Sequence, residues 1–208
     1  MKDIATTLKR ELKMNSMIIM FLFLIMSQNS FGSISIGLSG ATSTSNYSLE
    51  TQKSSIISGN ISLAIASFLR IGLTHRRSFV EKSGLRKEAT DTSTLYYEFE
   101  DNTDIVTNSI DLTAILYHGR VSPFVFGGVA RRDYFTEVRY PGSTTKFRET
   151  LKAVPNYGLG IAIHLNRHFR LKITQTYTPG VRVDLVDGQE VKEDVNDTYT
   201  QIGVNYAL

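Results

Sequence analysis

The side chains of this chain that could do chemistry are few. Four histidines, His75, His118, His164 and His168, are the available bases, and there is no cysteine. A thiolate nucleophile, a thiolate metal site and a disulfide framework are therefore excluded. The histidines are isolated from one another in the sequence, which leaves little for a His-rich metal centre, and no metal or cofactor is implied. A serine nucleophile needs its base within hydrogen-bond reach, and the pair that could face the outer side is His75 with Ser78. His118, His164 and His168 fall beside tight turns, where polar roles at a rim suit them better. The remaining candidates are charges set inside alternating apolar segments: Arg70, Arg76, Asp111, Arg131 and Lys172. The alternation turns them towards a common interior, and buried charges are tolerated only when paired or hydrogen-bonded. They could form a polar conduit, or a plug of salt bridges that fills a narrow lumen; the plug is the expected form. Because that set is mostly basic, acids such as Glu98 or Glu100 are expected to fold inward. The overall balance of 23 Lys+Arg against 20 Asp+Glu is too even to argue for nucleic acid.

The first segment is chemically foreign to the rest. All five methionines fall within it, at 1, 14, 17, 20 and 26. It opens with Lys2, Lys9, Arg10 and Lys13, continues with the apolar run Met17 to Met26, and turns small and polar through Ser27 to Gly32. This is the form of a secretory signal peptide. A spanning helix needs about 20 apolar residues, and this run is shorter. Residues 1–32 are expected to be removed after Gly32, with Ser30 and Gly32 at the small-residue positions, leaving one domain over 33–208.

In that domain the pattern has a period of two, which predicts strands throughout. Ile34, Ile36 and Leu38 share one face; Ile57, Gly59, Ile61, Leu63 and Ile65 oppose Ser58, Asn60, Ser62, Ala64 and Ala66. Leu69, Ile71 and Leu73 oppose Arg70, Gly72 and Thr74, and Ile110, Leu112, Ala114 and Leu116 oppose Asp111, Thr113, Ile115 and Tyr117. Pro123 to Tyr134 is apolar on both faces at its start, which leaves its register open. Tyr157, Leu159, Ile161 and Ile163 alternate with Gly and Ala, Phe169, Leu171 and Ile173 with Arg170, Lys172 and Thr174, and Ile202, Val204, Tyr206 and Leu208 close the sequence.

The connections alternate sharply in length. Tight turns at 66–68, 118–120 and 166–168 are separated by long polar stretches at 41–54, 80–105, 136–148 and 178–196. Short turns on one rim and long loops on the other predict an all-β, eight-stranded, antiparallel up-and-down transmembrane barrel. Alternation alone does not say which face is inside, since a soluble sheet with one wet face alternates equally well. The polar face decides it: Ser, Asn, Gly, Ala and Gln suit a narrow lumen, whereas a water-washed face would carry more Lys and Glu. Phe68, Phe79, Tyr117, Tyr134, Phe135, Phe169, Tyr177 and Tyr206 fall near strand ends, where an interfacial girdle would need them.

At the C-terminus, Gln201, Gly203, Tyr206 and Leu208 resemble the terminal signal read by barrel-assembly machinery, with Leu208 where Phe is commonest. Together with the Gly-rich stretches Phe124 to Val129 and Tyr157 to Ile161, the domain resembles the small eight-stranded outer-membrane barrels of the OmpA/OmpX-like superfamily. That resemblance implies the cell outer membrane as the location and outer-membrane lipid and the assembly machinery as partners; with the strand pattern running to Leu208, no periplasmic peptidoglycan-binding domain is expected after the barrel. Members of that superfamily serve as surface anchors, adhesion or resistance factors and occasionally enzymes, so the resemblance alone does not choose; a structural or surface-interaction role of the adhesion or resistance type is expected, with an extracellular ligand reached through 80–105 and 178–196. Within 80–105, Thr94 to Glu100 is itself strand-like and could lengthen the adjoining strands as a hairpin. Three other readings are kept. A transport barrel would need an apolar lumen. A lipid A acyl hydrolase would carry Ser two residues after His, followed by Asn, and none of the four histidines has that context. A soluble periplasmic binding barrel would turn its apolar face inward.

Overall fold

The computed structural model describes residues 33–46, 49–89, 94–186 and 189–208, without the side chains of 46, 86–89, 94, 95, 181–186 and 189–196. The expected signal peptide, 1–32, lies outside the described residues. The elements are β1 (Ile34–Asn46), β2 (Glu50–Ala66), β3 (Leu69–Ala89), β4 (Thr94–Ile115), β5 (Val121–Tyr140), β6 (Ser143–His164), β7 (Phe169–Val186) and β8 (Gln189–Ala207). Each strand pairs antiparallel with its sequence neighbour, and β1 pairs with β8 from Ser35↔Ala207 to Gly40↔Ile202, which closes the barrel. Closure pairs the turn-end part of the wall all round, with β6 and β7 joined from Tyr157↔Tyr177 to His164↔Arg170; such closure is a condition for crossing a bilayer, where no water can satisfy a free backbone group.

Polarity is inverted relative to a soluble domain. Leu38 is 68% exposed, Leu73 60% and Ile202 59%, while Ser35 and Asn156 are each 1% exposed. Apolar side chains ring the outside of the turn-end half, flanked by Phe68, Tyr117, Phe169 and Tyr206 near the tight turns and by Phe79 and Phe135 at the far side. An exterior of this kind is stable facing acyl chains and unstable facing water. Tyr134 departs from the expected girdle: it is buried in the lumen, because even-numbered residues of β5 point inward.

Two expectations are corrected by the strand pairing. The polar stretches 41–54, 80–105, 136–148 and 178–196 are largely paired strand rather than loop, running to Asn46↔Thr51, Ala89↔Thr94, Tyr140↔Ser143 and Val186↔Gln189; in 80–105 this is the hairpin that the strand-like Thr94 to Glu100 suggests. Backbone pairing does not depend on side-chain polarity, and beyond the lipid both faces of a hairpin can be polar. The β5–β6 hairpin turns through Pro141-Gly142, with Gly142 at φ +80°. Proline followed by a positive-φ glycine is the type II turn pattern, which only glycine enters without strain.

The second correction concerns β5. Phe124 and Phe126 point inward, opposite Gly160 and Gly158 of β6, while Val125 and Val129 face out. A Cβ on Gly158 would lie 2.6 Å from the Phe126 ring, so the glycines make room for the phenyl groups. Arg131, expected in the lumen, therefore faces outward and Arg132 takes the inner position. At the same level the pairing steps from Ala130↔Val154 to Arg132↔Leu151. The extra residue is a bulge in β6 that exchanges its inward and outward faces.

Candidate functional site

The lumen divides into two halves. In the outer half, polar groups from all eight strands are linked to one another, while the Nε atoms of Arg76 and Arg132 and the Thr176 hydroxyl have no hydrogen-bond partner. Asn156 donates to Asp111 Oδ1 at 2.7 Å, Ser109 donates to Asp111 Oδ2 at 2.7 Å, and Thr178 donates to Asn156 Oδ1 at 2.8 Å. The Arg76 guanidinium lies 4.4 Å from the centre of the Tyr199 ring, and the Tyr199 hydroxyl meets Thr178 Oγ1 at 3.3 Å. Gln201 donates to Ser58 Oγ at 3.0 Å, and Ser58 bonds Ser39 at 2.7 Å. Above this layer Arg132 donates to Asp197 Oδ2 at 2.6 Å and to the Pro179 carbonyl at 2.8 Å. The buried Asp111 carboxylate is kept tolerable by these donors.

The half nearer the tight turns is different. A partly open cavity of about 110 Å³ is lined by Arg70, Arg76, Arg170, Lys172 and His164, with Asp111 and, from the outer network, Ser58 and Gln201 also on its wall. Arg70 Nη1 donates to Ser35 Oγ at 3.2 Å, and Ser35 shares a 2.8 Å bond with Ser62. The Lys172 ammonium lies 4.7 Å from the centre of the Phe124 ring, a cation–π contact that partly replaces lost water. His164 Nε2 lies 3.3 Å from Ser122 Oγ, whose hydroxyl also donates to the Gly119 carbonyl within the turn.

Of the charges singled out in the sequence, Arg76 and Asp111 are buried in the lumen, and Arg70 and Lys172 line its inner cavity. Arg131 is on the exterior, its side chain 59% exposed and paired with Asp133 at 3.2 Å. Glu98 and Glu100 do not supply the inward acids: Glu100 faces out beside Arg139 at 3.6 Å. Asp197 does, together with Asp111. Arg132, Asn156, Thr178 and Asp197 are the residues that sequence reasoning missed. Gln201 and Gly203 point inward, and Tyr206 and Leu208 outward; a Cβ on Gly203 would run into the Leu38 carbonyl and Ser39, so β8 can close against β1 only with glycine there.

His75 and Ser78 are on opposite faces of β3, His75 exposed with Nδ1 2.7 Å from Asn108 Oδ1, Ser78 buried inside. A strand places positions three apart on opposite faces, which separates a base from its nucleophile. Among the described residues no group of His, Asp and Glu could hold a metal ion. Beyond the lipid-facing band, Glu137 joins Arg139 at 2.7 Å and Lys146 at 3.2 Å. The hydrogen bond from Arg139, followed by that from Lys146, holds the Glu137 carboxyl below the usual carboxylate range.

No protein-family model matches the chain, and no curated protein sequence does. Solved structures match its fold. A major outer membrane protein of Thermus thermophilus is 13% identical with a TM-score of 0.53, over 85% of this chain and 99% of that one. The N-terminal barrel domain of Pseudomonas aeruginosa OprF is 13% identical with a TM-score of 0.47, over 85% and 99%. Ail, the attachment invasion locus protein of Yersinia pestis, is 13% identical with a TM-score of 0.47, over 85% and 97%. Closed eight-strand topology, an apolar exterior and a polar interior make this chain a transmembrane β-barrel of the small outer-membrane type, and its place is the outer membrane of the cell.

Proposed function

We propose that the barrel is a non-catalytic anchor that presents its far-end hairpins at the cell surface for structural or adhesive contacts, with its outer lumen plugged. In this reading residues 1–32 direct export and are removed, the assembly machinery reads Gln201, Gly203, Tyr206 and Leu208, and outer-membrane lipid covers the apolar band. A ligand is met through 80–105 and 178–196. The observation that carries the reading is the hairpin of β3 and β4, which continues well past the lipid-facing band and ends in aromatic groups. There Tyr96 is 56% exposed, and the Tyr97 and Tyr140 rings meet edge to face at 5.6 Å. Exposed aromatics on a paired strand extension are suited to binding a protein surface, by ring burial or by strand pairing.

Two observations favour a non-catalytic role. His75 and Ser78 are on opposite faces, and the Ser122–His164 pair is at the turn rim with no carboxylate hydrogen-bonded to His164 among the described residues. A transport barrel for apolar molecules would need an apolar lumen, and this one is crossed by Arg, Asp and Asn. The test is to shorten the β3–β4 and β7–β8 hairpins to tight turns at the level of Phe79 and express the result in the native host. The trimmed barrel should still shift in mobility between unheated and heated cold-detergent gels, while adherence and serum survival fall to those of cells lacking the gene. Full adherence and survival with the trimmed barrel would reject the surface role.

A further inference from the structure

We infer that the inner half of the lumen is a binding site for a compact oxyanion of the phosphate class, entered from the tight-turn end of the barrel. Four cations, Arg70, Arg76, Arg170 and Lys172, face one cavity that contains a single carboxylate, Asp111. That carboxylate is already taken up by Ser109 and Asn156. None of the ion pairs among the described residues includes any of the four cations. The Nε atoms of Arg70, Arg76 and Arg170 are moreover buried with no hydrogen-bond partner, as is that of Arg132, whose Nη2, unlike the nitrogens of these three, meets a carboxylate. Buried donors in native proteins are nearly always satisfied, and a concentration of like charge in a low-dielectric interior is costly unless an anion neutralises it. These donors therefore point to an anion that belongs among them.

Size and access narrow its class. A cavity of about 110 Å³ exceeds the 10–15 Å³ or so that one water needs, enough for a tetrahedral oxyanion. Guanidinium forks approaching from β3 and β7 match the several acceptor oxygens of such an ion better than a single-point halide. Arg70, His164 and Arg170 are next to the turns, so the cavity opens towards that rim, whereas the layer of Asn156, Asp111 and Thr178 closes it on the outer side. The sidedness rests on the plugged outer lumen proposed above; the site itself does not.

The test is titration of the membrane-extracted barrel with inorganic phosphate by calorimetry at constant ionic strength, with sulfate and acetate in parallel arms. Saturable binding of one phosphate per chain is expected, with sulfate competing and acetate weaker. Arg70→Gln/Arg170→Gln should weaken it by at least about tenfold, and Arg131→Gln, on the exterior, should leave it unchanged. Each variant is first checked for the heat-dependent mobility shift. Should the double variant fail that check, Lys172→Met replaces it, with the same loss expected. Absence of saturable phosphate binding by the unaltered barrel would overturn the inference, as would equal affinity in the folded lumen variants. Acetate binding as tightly as phosphate would overturn the tetrahedral class. None of these outcomes depends on the hairpins, so this site and the surface role fail separately.

Discussion

The outer and inner halves of one lumen are built by the same strands and hold their charges in opposite ways. In the outer half Arg132 has Asp197, Asp111 has two donors and Asn156 links β4 to β7. In the inner half Arg70, Arg170 and Lys172 share a cavity without an ion-paired acid. The first arrangement is a cross-linked network, in which Asp111, Asn156 and Asp197 are each held by groups from other strands, although the Arg132 Nε and the Thr176 hydroxyl have no hydrogen-bond partner. The second is a set of donors with unfilled capacity. A barrel of eight strands has just enough interior for side chains to fill it, so the space left at the inner end is a local consequence of which side chains are there. Gly72, Ala162, Ser62 and Thr174 are small, and the wall there is lined instead by long cations.

The contrast gives substitutions opposite signs in the two halves. The largest effect is expected for Asn156→Leu, which strips a donor from the buried Asp111 and an acceptor from Thr178. It should lower unfolding stability by about 3 kcal/mol, read as the urea midpoint of the heat-resistant band. Arg132→Ala comes next, at about 2 kcal/mol; its effect is discounted because the Asp197 side chain remains 35% exposed and can be rehydrated. Lys172→Met should leave stability unchanged in phosphate-free buffer or raise it by up to about 1 kcal/mol, since it removes a like charge and keeps the apolar stem over Phe124. A loss comparable to that of Arg132→Ala would erase the distinction between the halves.

The smallest effect belongs to the exterior, where Glu137 is held by Arg139 and Lys146 in water. Its folded pKa is lowered, so its contribution is present above the carboxyl's unfolded value and is lost as pH falls through the depressed one. A carboxyl NMR titration should place Glu137 below an unfolded-chain glutamate, and Arg139→Gln should move it back up. A Glu137 midpoint at or above the unfolded value would remove this pair from the account.

Much of this architecture was legible in the residues. Ile34-Ser35-Ile36 and Ile61-Ser62-Leu63 specify strands and the outward face directly, and the rhythm of short and long connections specifies the barrel. The hairpin extensions are harder to read, because polar strand beyond the membrane looks like loop; Pro141-Gly142 is a turn signal that marks one of them. Arg131 was misplaced because β5 has large apolar groups on both faces, so alternation has no contrast there. The discriminating signal sits in the neighbouring strand, where Gly158 and Gly160 require large inward side chains across from them and so turn Phe124, Phe126 and then Arg132 to the lumen. Asn156 and Asp197 have no local signal, since their partners are on other strands and only barrel closure brings them together.

The central claim is that the outer half of the lumen is shut. Planar-bilayer recording of the purified barrel, with Asn156→Ala/Arg132→Ala beside it, tests that directly. The account predicts no stable openings for the unaltered barrel and discrete channels for the double variant. Large, steady conductance through the unaltered barrel would contradict it.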